Sequence, residues 1–200
     1  MYRKVKRILD AALSFILIVT LSPVFFVASF LIMITMGRPV LYTQERIGLN
    51  NSLFTAYKFR SMRDKTDQHQ TDAQRITKTG RLLRVSRVDE FPQLFNILIG
   101  DMSFIGPRPL LPEYMPFYSK QELKRHDVRP GLSGLSQVSA SYPSWEKQFR
   151  YDLEYIEKMS FLFDLKIFLS TFIRVLMPSK KLISGSQGRI RLDIQRKAAK

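Results

Sequence analysis

The sequence predicts an α/β fold, mostly helical, in which an N-terminal membrane helix-hairpin precedes one small α/β domain. Three observations carry this. Residues 11–36 hold no charge and are interrupted near their middle by Ser22 and Pro23, the pattern of a membrane segment broken in two. Residues 40–44 and 53–59 read as short strands around a turn at 48–51, able to pair as a hairpin. Further on, Phe91, Leu94, Phe95 and Leu98 recur at the spacing of a buried helix face.

Composition narrows the function. Of 200 residues 45% are hydrophobic, enough for one substantial core. With 32 Lys+Arg against 17 Asp+Glu the net charge is +15, which points to an anionic partner: nucleic acid, a phosphorylated substrate or an anionic membrane. The chain has no cysteine, which excludes thiolate catalysis and disulfides. Its two histidines, His69 and His126, do not make a His-rich metal site.

The first ten residues carry Arg3, Lys4, Lys6 and Arg7 against Asp10. Each half of the uncharged run, at about 1.5 Å per residue, reaches roughly 18–20 Å, short of a hydrocarbon core of about 30 Å. A kinked span and a hairpin that returns to its own side both fit. Cations flank both ends, Arg38, Arg46, Lys58, Arg60 and Arg63 following the run, and the positive-inside bias then holds both ends in the cytoplasm. A hairpin satisfies that bias and a single span does not. The carbonyl freed by Pro23 needs a donor, which the Ser22 hydroxyl or water drawn in at the bend can supply.

Past the predicted strand pair, Lys58, Arg60 and Arg63 cluster beside Ser61, by themselves a solvated surface. Residues 64–77 read as an exposed loop, and Asp64 with Asp67 lacks metal-binding spacing. Lys78, Arg81, Arg84 and Arg87 then recur every third residue, successive neighbours on a helix. They lead up to two adjacent carboxylates, Asp89 and Glu90. The spacing places Asp89 at the N-cap of a helix with Pro92 in its first turn and Gly100 as C-cap. Free backbone donors there would keep Asp89 ionised. Capping is the commoner use of such residues, and spacing alone favours it over catalysis.

Downstream, Pro107 and Pro109 lock the backbone around Arg108, a rigid presentation of one guanidinium suited to a phosphate oxyanion. Arg125, Arg129, Pro130 and Gly131 repeat the theme, and His126 reads as a hydrogen-bonded structural residue. Residues 142–145 form an aromatic turn before a helix over 146–159; Trp145 suits an interface, a stacked ring or a core equally. Residues 161–176 are apolar enough to lie in a bilayer surface or in a core. Residues 179–200 read as a flexible basic tail.

These residues together resemble the bacterial sugar transferases known as small monotopic phosphoglycosyl transferases. The resemblance rests on Lys6-Arg7 and Asp10, Ser22-Pro23, residues 58–62, Asp89-Glu90 with residues 92–96, residues 100–109, Arg129-Pro130-Gly131, Gly134, Trp145 and Asp164, in that order. It implies a re-entrant membrane helix-hairpin (1–36), a cytosolic α/β catalytic domain with interfacial amphipathic helices (37–178) and a basic tail (179–200), on the cytoplasmic face of a bacterial inner membrane. The implied reaction moves a phosphosugar from a UDP-sugar to undecaprenyl phosphate, with Mg²⁺, releasing UMP. Asp89 is the implied nucleophile and a Mg²⁺ ligand, Glu90 its helper, and Lys58, Arg60, Arg87, Arg108 and Arg129 the phosphate-binding set. Lys6, Arg7, Asp10, Ser22 and Pro23 belong to the membrane hairpin and its headgroup contacts. The likeness is to bacillosamine-type enzymes, with a diacetamido-trideoxy or other N-acetylated donor, although residues 138–144 depart from their text. The chain is implied to be the catalytic unit alone. A different class, a non-catalytic membrane-tethered basic module, predicts salt-sensitive binding insensitive to Asp89. The cations surround carboxylates without an aromatic platform, which argues against nucleic acid as the partner. No residue pattern specifies an oligomeric state.

Overall fold

The structure, a computed structural model, describes residues 1–66, 71–139, 144–176 and 190–198. The uncharged run becomes two helices, α1 (Tyr2–Thr20) and α2 (Ser22–Met36), bent by 61° where they meet. Pro23 occupies the first turn of α2, where its missing N–H breaks no helical bond. The hydroxyl that turns back onto the end of α1 is Thr20's, donating to Ile16 O at 2.9 Å. Among the described residues no single helix is long and apolar enough to cross a membrane.

Both ends of the bent pair meet the same domain. Lys6 Nζ lies 2.5 Å from the buried Asp164. Arg7 donates to the carbonyls of Ile97 and Leu98, each at 2.6 Å. Asp10 is buried and accepts the Phe104 N–H at 3.4 Å. These charges, expected at a lipid headgroup, are turned inward: the helix amphipathicity that puts them on one face of α1 also puts them against the domain.

Beyond Gly37, β1 (Leu41–Ile47) pairs antiparallel with β2 (Leu53–Phe59), in register from Leu41↔Phe59 to Ile47↔Leu53. Asn50 and Asn51 make the turn at φ 51° and 63°, a region that Asn tolerates. Where the sequence suggested only loop, α3 (Asp72–Arg75) forms and Met62 bridges Ile76. Helix α4 (Lys78–Val85) is capped by the Thr77 side chain, which accepts from Gly80 N. Helix α5 (Gln93–Ile99) ends at Gly100, φ 102°. Two short strands, β3 (Ser103–Ile105) and β4 (Gly131–Ser133), pair in parallel, and between and after them come α6 (Lys120–Leu123) and α7 (Leu135–Ser139).

Helices α8 (Trp145–Lys158) and α9 (Phe161–Leu176) complete the main core. Leu94, Ile97, Phe104, Tyr155 and Ile167 meet there, and Leu17 and Ile18 of α1 pack against them. Helix α9 is buried along one side only: Asp164 and Ile167 are buried while Leu162, Leu169 and Phe172 stand exposed. Trp145 takes the core alternative. It is buried beside Tyr114 and Phe149 in a second, smaller cluster with Leu110.

That cluster also holds Leu192, fully buried at 0% exposure, from a helix α10 (Leu192–Lys197). The basic tail predicted from residue 179 thus has a docked helix in it. Arg196 forms a forked pair with Glu122, at 2.7 and 2.5 Å, Arg191 pairs with Glu113, and Trp145 Nε1 donates to Ile190 O at 3.0 Å. His69, Asp67, the turn at 142–143, most of the 138–144 segment and the tail cations at 180–181 and 189 lie outside the described residues.

Candidate active site

The two carboxylates do not start a helix. Val88–Glu90 form a single 3-10 turn, and α5 begins three residues later with Pro92 before it. The turn is set by Arg87, whose φ of 61° is left-handed. That conformation costs a non-glycine residue about 1 kcal/mol or more, and it swings the chain out of α4 so that both carboxylates face β2.

Lys58 meets them because of the pleat of β2. It follows Phe54 and Ala56 at two-residue spacing, so all three share one face, and Phe54 and Ala56 are buried in the main core. Lys58 Nζ donates to Glu90 Oε1 at 2.8 Å. The guanidinium of Arg108 stands 3.6 Å from the same oxygen. Strand β2 is held in place by Asn96, 0% exposed, whose side chain accepts the Tyr57 N–H at 3.1 Å and donates to Thr55 O at 2.7 Å. An amide side chain here replaces a missing neighbouring strand.

The two acids are driven apart. Burial alone would raise Glu90, but Lys58 and Arg108 more than offset it and bring its pKa down to about 2. Asp89 is pushed up to about 6, first by burial and then by the charge of Glu90, against the pull of Lys58, Arg84 and Arg87. The expectation that a helix start keeps Asp89 ionised is therefore replaced: there is no helix start beneath it, and desolvation acts the other way. Separated pairs of this kind mark acid–base and nucleophilic sites. Asp89 Oδ1 is buried and has no hydrogen-bond partner among the described residues. Glu90 is engaged on the cationic side, which leaves Asp89 as the carboxylate with an open oxygen.

Of the expected phosphate-binding set, Lys58, Arg87 and Arg108 gather around the dyad. Arg60 does not. It is buried and donates to the carbonyls of Met62, Arg38 and Met36 and to Asp64, tying the end of α2 to the domain. Arg129 donates to Gly100 O at 2.7 Å and lines a separate cavity of about 220 Å³ with Arg3, Lys6, Arg7 and Asp10. Two cations were missed. Arg84 bonds Ser61 Oγ at 2.9 Å and acts electrostatically on Asp89; its place in the three-residue cationic row was the available signal. Arg46, half-buried on β1, is pulled below its ordinary pKa by burial and by Arg108, and only the strand pairing brings it near.

Beside the dyad lies an apolar groove of about 620 Å³, lined by Phe25, Ser29, Leu41, Tyr57, Phe59, Pro92, Phe95 and Ile99 among others. Phe25, just past the helix bend, packs against Phe59, Phe91 and Phe95 at centroid distances of 5.7, 6.3 and 5.9 Å. The bend of the apolar helices and the carboxylate turn thus share one aromatic cluster.

The chain is similar in sequence to several known proteins. The uncharacterized sugar transferase EpsL of Bacillus subtilis (strain 168) is 41% identical over 176 residues, covering 86% of this chain and 87% of that protein. The UDP-N-acetylgalactosamine-undecaprenyl-phosphate N-acetylgalactosaminephosphotransferase of Aeromonas hydrophila is 37% identical, covering 88% of this chain and 44% of its own length. The UDP-glucose:undecaprenyl-phosphate glucose-1-phosphate transferase of Escherichia coli (strain K12) is 35% identical, with 85% and 40% covered. The chain therefore spans less than half of each of these two named transferases. The sequence profile of the bacterial sugar transferase family matches residues 1–178, and the chain belongs to that family.

Proposed function

We propose that the protein transfers a sugar phosphate from a UDP-sugar to undecaprenyl phosphate through an aspartyl phosphosugar intermediate. The observation that carries this is the asymmetry of the dyad: Asp89 holds a buried oxygen with no hydrogen-bond partner among the described residues, while Glu90 is fixed by Lys58 and Arg108. A carboxylate oxygen of Asp89 attacks the sugar-bearing β-phosphorus. An acyl phosphate bond forms, the bond from that phosphorus to the bridging oxygen breaks, and UMP leaves with that oxygen. The acceptor phosphate then attacks the same phosphorus and expels the Asp89 carboxylate, regenerating the site. Splitting one displacement into two is what a covalent carboxylate offers. Lys58, Arg87 and Arg108 neutralise charge on the transferring group.

Mg²⁺ fits the donor set. Among the described residues no three His, Cys, Asp or Glu side chains cluster as a protein cage, and a hard cation that shares one carboxylate with substrate phosphates needs none. Asp89 would be the residue that holds it. When bound, the ion supplies charge neutralisation at the phosphate oxygens.

The apolar groove is the place for the acceptor's hydrocarbon chain, and the bent helix pair is the re-entrant membrane element that brings lipid to it on the cytoplasmic face of the inner membrane. Two of the relatives named above carry N-acetylgalactosamine and glucose in their names, so the donor here is read as a UDP-hexose, with N-acetylated and bacillosamine-type sugars in the same screen. The test is release of UMP by the detergent-purified protein given a panel of UDP-sugars, undecaprenyl phosphate and Mg²⁺. Donor alone should leave one phosphosugar on the protein, seen by intact mass and absent in Asp89→Asn. Parental UMP release by Asp89→Asn would sink the nucleophile assignment.

A further inference from the structure

The segment that presents Arg108 cannot hold itself. Pro107 and Pro109 have no N–H to donate, so the loop is pinned through its carbonyls, and four successive ones are taken from elsewhere in the fold. Gly131 N donates to Pro107 O at 2.9 Å and Ile47 N to Leu110 O at 3.1 Å. Arg46 Nη1 donates to Pro109 O at 3.4 Å. The remaining one, the carbonyl of Arg108 itself, accepts from Arg125 Nη2 at 2.7 Å.

Arg125 is unusual in its cost. Its side chain is 1% exposed, as is that of its partner Asp152. Nε and Nη2 of Arg125 reach Asp152 Oδ2 at 3.1 and 2.7 Å. Its guanidinium carbon lies 6.0 and 5.7 Å from the ring centroids of Tyr118 and Phe149. A buried ion pair of this kind adds little net stability, because desolvation cancels most of the attraction. What it secures is a fixed direction. The planar fork spends donors on Asp152 and aims one more at a single backbone oxygen, that of the residue whose side chain reaches Glu90 at 3.6 Å.

We propose that Arg125, fixed by Asp152, is the positioning residue that sets the Arg108 guanidinium for phosphosugar transfer. This rests on the reaction proposed above. Arg125 touches neither Asp89 nor Glu90, so its effect passes through the backbone of Arg108.

The variant that separates direction from charge is Arg125→Lys, because an ammonium can face Asp152 but lacks the fork that also reaches the Arg108 carbonyl. With a donor that the parent turns over, kcat for UMP release should fall about 10- to 100-fold while KM changes less than about threefold, the signature of a misplaced transition-state group. In an Arg108→Ala background the same substitution should cost less than about twofold, because the two act as one unit. A loss of equal size with and without Arg108, or no loss, overturns the proposal. If Arg125→Lys does not fold, the paired variant Arg125→Met with Asp152→Leu removes both buried charges together and is expected to melt near the parent. It should show the same loss of kcat, and parental kcat in that variant overturns the proposal. Hydrogen exchange at the amides of Gly131 and Ile47, which donate to Pro107 O and Leu110 O on either side of Arg108, reads the position without turnover. It should quicken in either variant while the α5 amides stay protected, and unchanged exchange again overturns the proposal. A parent that releases UMP from no donor refutes the reaction instead, and leaves the exchange measurement to decide the positioning.

Discussion

At the scale of single residues, two carboxylates adjacent in sequence end up with pKa values on opposite sides of the ordinary range, Asp89 near 6 and Glu90 near 2. The chemistry needs Asp89 ionised. UMP release should therefore rise with pH through about 6 and level off above it, and a profile flat from pH 5 to 8 would show another group to be the nucleophile. Stability runs the other way. The folded-state pKa of Asp89 is raised above the unfolded value, so the folded protein loses stability as pH climbs from about 4 through 6. Asp89→Asn should accordingly melt a few degrees higher than the parent at pH 7.5, a stability gained where activity is lost. Asn96 carries a different burden. Replacing it by Leu strands the Tyr57 N–H and the Thr55 carbonyl, a cost of about 2–4 kcal/mol in denaturant unfolding. Because β2 carries Lys58, turnover should fall as well.

At the scale of elements, the decisive features are joints. The left-handed Arg87 separates α4 from the carboxylate turn, and the Leu21 bend separates α1 from α2. Each puts a side chain where an uninterrupted helix would not. The docked helix α10 offers the cleanest measurement, because Trp145, the one tryptophan of the chain, donates its indole N–H to Ile190 O and packs in the cluster that buries Leu192. Leu192→Asp should undock the helix and shift tryptophan emission to the red, with little change in far-ultraviolet circular dichroism. Unchanged emission would mean that α10 is not seated in solution. These elements also show how much was legible in advance. The strand pair, the C-terminal end of α5 at Gly100, and α8 and α9 were readable because period, cap and turn residues act within a few positions. The α3 segment was not, since its four residues hold no periodic pattern.

At the scale of the whole molecule, both helices of the bent pair lie against the domain: Leu17, Leu21 and Phe25 around the bend pack on the main core, and Ala28 and Ile32 of α2 on Phe59 and Leu83. Lys6 is bonded to Asp164 near one end, and β1 follows at the other. Cysteines placed singly at the exposed Lys4 and at Lys120 should label from the same side of inverted membrane vesicles. Labelling from opposite sides would refute the hairpin and leave a kinked span. The outward apolar face of α9 and the exposed apolar side of α2 are in keeping with a domain seated against lipid.

By itself the sequence determined the uncharged apolar segment and its break, the strand pair, the dyad and the cationic character of its surroundings. All of these are written in runs, spacings and residue types that act locally. Which cation serves which anion was decided only by tertiary structure. Arg60 and Arg129 are spent on backbone carbonyls, Lys6 on Asp164, while Arg84 and Arg46 enter the field of the dyad. The reason is physical. A charge is assigned by what lies within a few ångströms of it in a poorly solvated interior, and those neighbours come from strands and helices scores of residues apart. The same reason placed Asp89 in a 3-10 turn instead of at a helix cap, raising the pKa that local spacing alone would have lowered.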